Sequence, residues 1–352
     1  MTSRRSLRVG LAGLGRFGSL HAAVLSSLPD VELLAIADPD EQQRHGIGER
    51  YGIPRRYGDA AELIADPQLD ALVLATPDDQ HLQHTLAAVA TGKPVFVEKP
   101  LAPNWQDAQR LRTAAASQGS WLQVGLILRY DLQHQLLHRQ VQEQQFGELV
   151  SIRTKRNCSA DWFGVIADRV HTVYETMIHD LDLMLWLADS PVCRVMAMER
   201  HLGKHRFPEG IFALLHFANG CVGMAEASWF VPQGAPANVL TSNWQGSIDA
   251  ELAVVGSRQT AQLRYLDAPL RIWGAAGTTI PDTQLWPELQ GCVQGALRDE
   301  LSDFVHCARS GRPSSVANLN QAVAGLQLAE AIVESAQRGQ PIDLAAEPAP
   351  SG

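Results

Sequence analysis

Through the first third of the chain, short apolar runs alternate with amphipathic stretches. The runs at 7–12, 31–37, 71–75, 95–97 and 121–124 read as strands, each nearly continuous in apolar residues, the pattern of strands buried on both faces. Between them apolar positions recur at helical spacing around 17–27, 40–50, 79–91 and 104–117. That alternation predicts βαβ units, and hence a doubly wound parallel sheet with helices on both faces. From about residue 145 the rhythm changes. One helical pattern near 172–188 precedes strand-like runs at 192–198, 211–217, 222–229, 248–255 and 262–266, with Asn219-Gly220 as a hairpin signal. The fold class expected is therefore α/β followed by α+β, the second domain built on a large, mostly antiparallel open sheet. Helical patterns near 288–309 and 318–337 follow, separated by Gly311-Arg312-Pro313. The domains expected are 1–125, then 126–340 with the helices of 288–337, and a frayed tail over 341–352.

Composition narrows the classes. The chain has 352 residues, 45% hydrophobic and 19% charged, enough for two packed cores. A formal charge of −9 without a basic, aromatic-rich cluster argues against nucleic acid as a partner. No apolar stretch is long enough to span a membrane, and the basic start at Arg4-Arg5 runs straight into a strand instead of a leader's apolar core. The five cysteines are scattered with no CxxC, as expected of reduced thiols in a cytoplasmic protein, and no metal site is expected.

Three strand ends carry chemistry. Gly13-Leu14-Gly15-Arg16-Phe17-Gly18 joins the first strand to the first helix, and Asp38 lies twenty residues past Gly18. Such a turn needs glycine to bend, to admit a pyrophosphate and to pack helix on strand, while the helix N-terminus takes the negative charge. Asp38 either accepts the ribose hydroxyls, favouring NAD over NADP, or caps the next helix. Thr76-Pro77-Asp78-Asp79-Gln80-His81 follows the third run, with Thr76 and Pro77 bordering the cofactor and Asp78 or Asp79 capping a helix. His81 reads equally as a cofactor contact or a surface residue. Glu98-Lys99-Pro100 follows the fourth run. Lysine before proline is extended, aimed over the sheet edge where it can stabilise an alkoxide as hydride leaves carbon.

A fourth stretch lies in the second domain. At helical spacing Glu175, His179, Asp182 and Trp186 share one stripe of a largely apolar helix. A histidine between two carboxylates suits a general base. Loops around 157–169 and 230–246 are expected to line the pocket, with Asp161, Trp162 and Trp244 as candidates. Arg153, Lys155, Arg156 and Arg169 read as solvated charges before phosphate ligands.

Together these motifs resemble the Gfo/Idh/MocA oxidoreductases, over nearly the whole chain: the glycine turn, Ala75-Thr76-Pro77 with His81, Glu98-Lys99-Pro100, Gly125 to Tyr130, His179-Asp180-Leu181-Asp182 with Trp186-Leu187, and Glu300-Leu301 with Phe304. The resemblance implies a Rossmann domain and a substrate domain whose open sheet joins subunits into a homodimer or homotetramer. It implies NAD-linked hydride transfer on a sugar, cyclitol or related polyol, with Lys99 holding the hydroxyl and His179 exchanging its proton. Gly13, Gly15, Arg16, Phe17, Gly18, Asp38, Thr76, Pro77, His81, Glu98 and Lys99 would then face the cofactor. Arg129, Asn157, Trp162 and His179 would face the substrate, with Glu175 and Asp182 assisting catalysis. Glu175 stands where the family usually has aspartate, and the Lys99–Pro100 bond is a candidate cis peptide. The alternative is a non-catalytic dinucleotide sensor of the same fold. A reductase of a non-sugar substrate usually lacks the lysine–histidine pair.

Overall fold

The computed structural model describes residues 5–344 apart from Asn243, Pro269 and Ala276. Arg4 and the tail from Glu347 lie outside the described residues. The chain forms two compact units, one of residues 1–131 with 283–323 and the other of 132–282 with 324–352.

The first unit carries a six-stranded sheet of order β3-β2-β1-β4-β5-β6, with every pairing parallel. Its strands are β1 (Leu7–Ala12), β2 (Val31–Ala37), β3 (Arg55–Tyr57), β4 (Ala71–Leu74), β5 (Val95–Glu98) and β6 (Leu122–Gly125). Helices α1 (Arg16–Ser27), α2 (Glu41–Tyr51), α3 (Ala60–Ile64), α4 (His81–Val89) and α5 (Trp105–Gln118) connect them. The continuous apolar runs explain the parallel sheet: β4 is fully buried, and only the first residues of β2 reach solvent. β3 escapes the sequence pattern because Arg-Arg-Tyr carries no apolar signal on an edge strand.

Residues 283–323 also belong to this unit, whereas the sequence pattern groups them with the second domain. Phe304 of a helix over Ala296–Ser310 sets its ring edge on Phe96 at 5.7 Å and on Trp121 at 5.5 Å. The pattern near 288–309 thus splits into a short hairpin, 288–293, and that helix.

The second unit begins with α6 (Leu132–Gln142), then β7 (Leu149–Ser159), α7 (Ala160–Ile166) and α8 (Ile178–Ala188). β8 (Val192–Arg200), β9 (Gly210–Phe217) and β10 (Val222–Val231) follow. A small hairpin of β11 (Val239–Thr241) and β12 (Trp244–Gly246) precedes β13 (Ile248–Gly256) and β14 (Thr260–Arg264). The sheet order is β14-β13-β7-β10-β9-β8, with residues 342–343 added beside β8. It is mixed, because β7 and β10 run parallel while their other neighbours are antiparallel. Central β7 was not among the expected strands. It buries Thr154 and Arg156 beside Ile152 and Cys158, so its inward face reads polar.

Candidate functional site

The glycine turn has the geometry a dinucleotide needs. Gly13 sits at φ +88°, and a Cβ there would lie 2.3 Å from the Ala75 carbonyl oxygen. A Cβ on Gly18 would lie 2.0 Å from the Gly13 carbonyl oxygen, so helix and strand meet with no room for a side chain. Gly15 faces open space, with no heavy atom within 4 Å of its Cβ position. It caps α1 with no side-chain hydrogen bond, so the first backbone N–H groups of the helix point outward, ready for an anion. The turn fits a pyrophosphate. Arg16 is exposed beside it, and Phe17 turns its ring edge to Trp286 at 5.4 Å.

Asp38 belongs to this turn and not to the next helix. Its Oδ2 accepts from the Leu14 N–H at 2.7 Å and its Oδ1 from the Asp40 N–H at 2.9 Å. Asp40 is the residue that caps α2, accepting from Gln42 and Gln43. The capping alternative for Asp38 is thereby removed. A carboxylate locked against the glycine turn and partly exposed suits ribose hydroxyls.

At the next strand end, Thr76 and Pro77 lead into one 3-10 turn, Asp78–Gln80, and then α4. The N-cap positions of these two helices fall to Pro77 and Gln80, neither of which supplies a side-chain cap, and Asp78 and Asp79 lie within the 3-10 turn. His81 is only 1% exposed, which overturns the reading of it as a surface residue. Its Nδ1 lies 2.6 Å from the Pro100 carbonyl oxygen and its Nε2 2.8 Å from that of Thr76. Burial pushes this imidazole below the ordinary histidine range, against the pull of those carbonyls and of Glu98.

Glu98, Lys99 and Pro100 follow β5, and the Lys99–Pro100 bond is cis. Glu98 points inward: its Oε1 lies 2.7 Å from Nε2 of His21, a fully buried residue of α1. Its Oε2 accepts from the Lys99 N–H at 3.2 Å. Glu98 thus acts inside the domain, while Lys99 itself is half-buried at the strand end.

In the second unit, α8 is entered through a π turn, Val173–Met177. Glu175 lies in that turn, four residues before His179 in α8. His179 and Glu175 are half-buried, and Asp182 is 3% exposed. Trp186 stacks on His138 at 3.8 Å. Asp180, which carried no role in the sequence reading, accepts from Arg156 Nε at 2.8 Å and Nη2 at 3.1 Å in a buried, two-point pair. Arg156 is therefore neither a solvated charge nor a phosphate ligand.

Two substrate candidates are engaged elsewhere, and the third, Trp162, lies beside the 244–246 hairpin of the expected pocket loop. Arg129 is fully buried and its Nη1 donates to the Val316 carbonyl and to Gln321 Oε1, tying together parts of the first unit. Asn157 lies in β7, on the pleat face opposite Arg156, with its amide donating to Glu226 Oε1 and accepting from Ser228 Oγ. Since α8 packs on the Arg156 face, Asn157 faces away from His179. Trp162 rests on Gly246, donates from Nε1 to the Gln245 carbonyl at 3.0 Å, and lies 4.9 Å from Trp244. Lys155 pairs with Asp249 and Glu251, 2.9 Å each. Among the described residues no helix is long and apolar enough to cross a membrane.

Comparison with known proteins agrees with this geometry. The profile described as "Oxidoreductase family, NAD-binding Rossmann fold" matches residues 7–126, and its "C-terminal alpha/beta domain" matches 138–344. The chain is 30% identical to inositol 2-dehydrogenase of Pseudomonas fluorescens, covering 98% of this chain and 99% of that one. It is 25% identical to scyllo-inositol 2-dehydrogenase (NAD(+)) of Bacillus subtilis, covering 96% of each. The solved scyllo-inositol dehydrogenase of Lactobacillus casei, with bound NAD(H) and scyllo-inositol, shares the fold at a TM-score of 0.80 and 17% identity over 96% of this chain and 99% of that one. With a glycine turn shaped for a pyrophosphate and both family domains matched along its length, the chain belongs to the Gfo/Idh/MocA oxidoreductases and carries an NAD-binding Rossmann domain.

Proposed function

We propose that the protein is an NAD-dependent dehydrogenase of a secondary alcohol on a cyclitol or a closely related polyol. The observation that carries the reading is Lys99, half-buried at a strand end with its backbone fixed by Glu98, in the same sheet as the open glycine turn. The inositol dehydrogenases among the relatives support the substrate class.

The turn at Gly13, Gly15 and Gly18 with the α1 N-terminus holds the pyrophosphate, and Asp38 the adenosine ribose. NAD, when bound, would supply the hydride acceptor. Lys99 donates a hydrogen bond to the substrate oxygen and stabilises its developing negative charge. His179 takes the hydroxyl proton as general base, and Glu175 and Asp182 are the carboxylates at hand to orient its ring. Carbon loses a hydride and oxygen a proton, leaving a ketone. The outward face of the seven-stranded sheet, where Met198, Phe212 and Leu214 are exposed, is the surface proposed to join subunits into a dimer or tetramer.

The test is NADH formation from myo-inositol, scyllo-inositol and a panel of sugars. Lys99→Ala is expected to lower kcat about 1,000-fold, in line with loss of an electrostatic stabiliser, while NAD affinity by fluorescence stays within a few-fold. A variant as active as the parent defeats the assignment. Tight NAD binding with no turnover of any polyol supports a sensor instead.

A further inference from the structure

The tripeptide Glu98-Lys99-Pro100 is held from two sides by buried histidines that have no part in the chemistry just described. On one side His21, 0% exposed on α1, sets Nε2 2.7 Å from Glu98 Oε1, and the other oxygen of that carboxylate accepts the Lys99 N–H. Gly125, paired with Glu98 across β5 and β6, forms the floor: a Cβ there would lie 2.9 Å from Glu98 Oε2. The carboxylate is thus confined by ring, amide and backbone together. On the other side His81, at the start of α4, sets one ring nitrogen against the Pro100 carbonyl and the other against that of Thr76. Carrying two ring protons it holds both carbonyls, and carrying one it holds one of them.

The origin of these helices gives the arrangement its meaning. α1 begins at the glycine turn, and α4 follows the Thr76-Pro77 loop. Each of the other two motif-bearing strand ends therefore sends a buried histidine to the loop that bears Lys99. We propose that His21 and His81 are positioning residues, which register Lys99 against the cofactor-binding turn and the Thr76 loop. The inference rests on Lys99 being the group that meets the substrate oxygen. A reacting group displaced by about 1 Å can lose about 100-fold in rate, so a loop held at Glu98, at the Lys99 N–H and at Pro100 is worth two buried imidazoles. A histidine kept only to fill space would need neither acceptor.

The test compares the parent with His81→Ala, His81→Asn and His21→Asn in the full chain. Three quantities are read: NAD affinity by fluorescence, kcat and KM with myo-inositol, and the rate of Lys99 acylation by an N-hydroxysuccinimide ester. The acylation rate is taken from peptide mass spectra relative to exposed Lys204 in the same sample. For His81→Ala we expect kcat to fall about 30- to 100-fold, with KM and NAD affinity within about threefold of the parent. The Lys99-to-Lys204 acylation ratio should rise at least threefold. His81→Asn keeps one donor and should fall between the two in both kcat and acylation. His21→Asn should raise the ratio likewise. An unchanged ratio in His81→Ala and His21→Asn, with circular dichroism unaltered, overturns the proposal. So does a parallel loss of kcat and NAD affinity by one common factor, the mark of a merely weakened domain. If the parent turns over no polyol, the substrate reading fails, whereas the acylation ratio still decides whether the histidines position Lys99.

Discussion

The loops of the first unit and the α8 region of the second secure their candidate groups by different means. Around Lys99, the His21–Glu98 contact apart, the contacts run to the backbone: the Lys99 N–H, the Pro100 and Thr76 carbonyls, and the Leu14 N–H for Asp38. Around His179 the helix is secured by side chains, through the Arg156–Asp180 pair one residue along and the Trp186–His138 stack further down. Backbone contacts define where a loop lies, because a loop has no ladder of its own. A helix already has its ladder and needs only its face and rotation fixed, which one buried ion pair and one stacked ring can do.

If that contrast holds, breaking the ion pair should be the most damaging single change. Arg156→Leu leaves the Asp180 carboxylate buried alone and is expected to cost about 3–5 kcal/mol of stability in urea unfolding. Arg156→Leu combined with Asp180→Leu should recover most of that loss, because the stranded charge is gone. A single variant of parental stability would mean that α8 is not held by this pair.

The second unit should also respond to acid through His171. Burial, with His201 adding to it, pushes its imidazole down to about 4. The unfolded chain binds that proton near pH 6.5, so the unfolded state holds more protons between those values and stability rises with pH there. The contribution is full above pH 6.5 and is lost as the pH falls toward 4, on the order of 3 kcal/mol in total. His171→Gln should flatten that part of the stability curve. A parental slope in the variant would assign the acid sensitivity to other groups.

The smallest effect sharpens the contrast from outside the site. Asn157→Ala removes contacts to Glu226 and Ser228 on the face away from α8. Turnover should stay within about twofold and stability should fall by about 1 kcal/mol. A tenfold change in KM for myo-inositol would return Asn157 to the substrate.

The three strand-end motifs were legible because βαβ rhythm places them: an apolar run that is buried on both faces announces its own end, and chemistry collects there. What hid was polarity turned inward. β7 shows no apolar alternation since Thr154 and Arg156 occupy its buried face, and with β7 unseen Asn157 read as a loop residue. The π turn has no sequence signature, so Glu175 read as part of a regular helix. His81 opens α4 at a position whose ring meets the Pro100 carbonyl, nineteen residues away. Arg129 was carried by resemblance, and only its contacts with residues 316 and 321 disclose its work.

The first unit is sewn from two distant lengths of chain, with Phe304 against Phe96 and Trp121, and Arg129 against the Val316 carbonyl. A ribosome therefore releases the glycine turn long before the last piece of its own domain exists. Cutting the gene after codon 131 would yield not a portable dinucleotide module but a sheet with its aromatic flank bare to water.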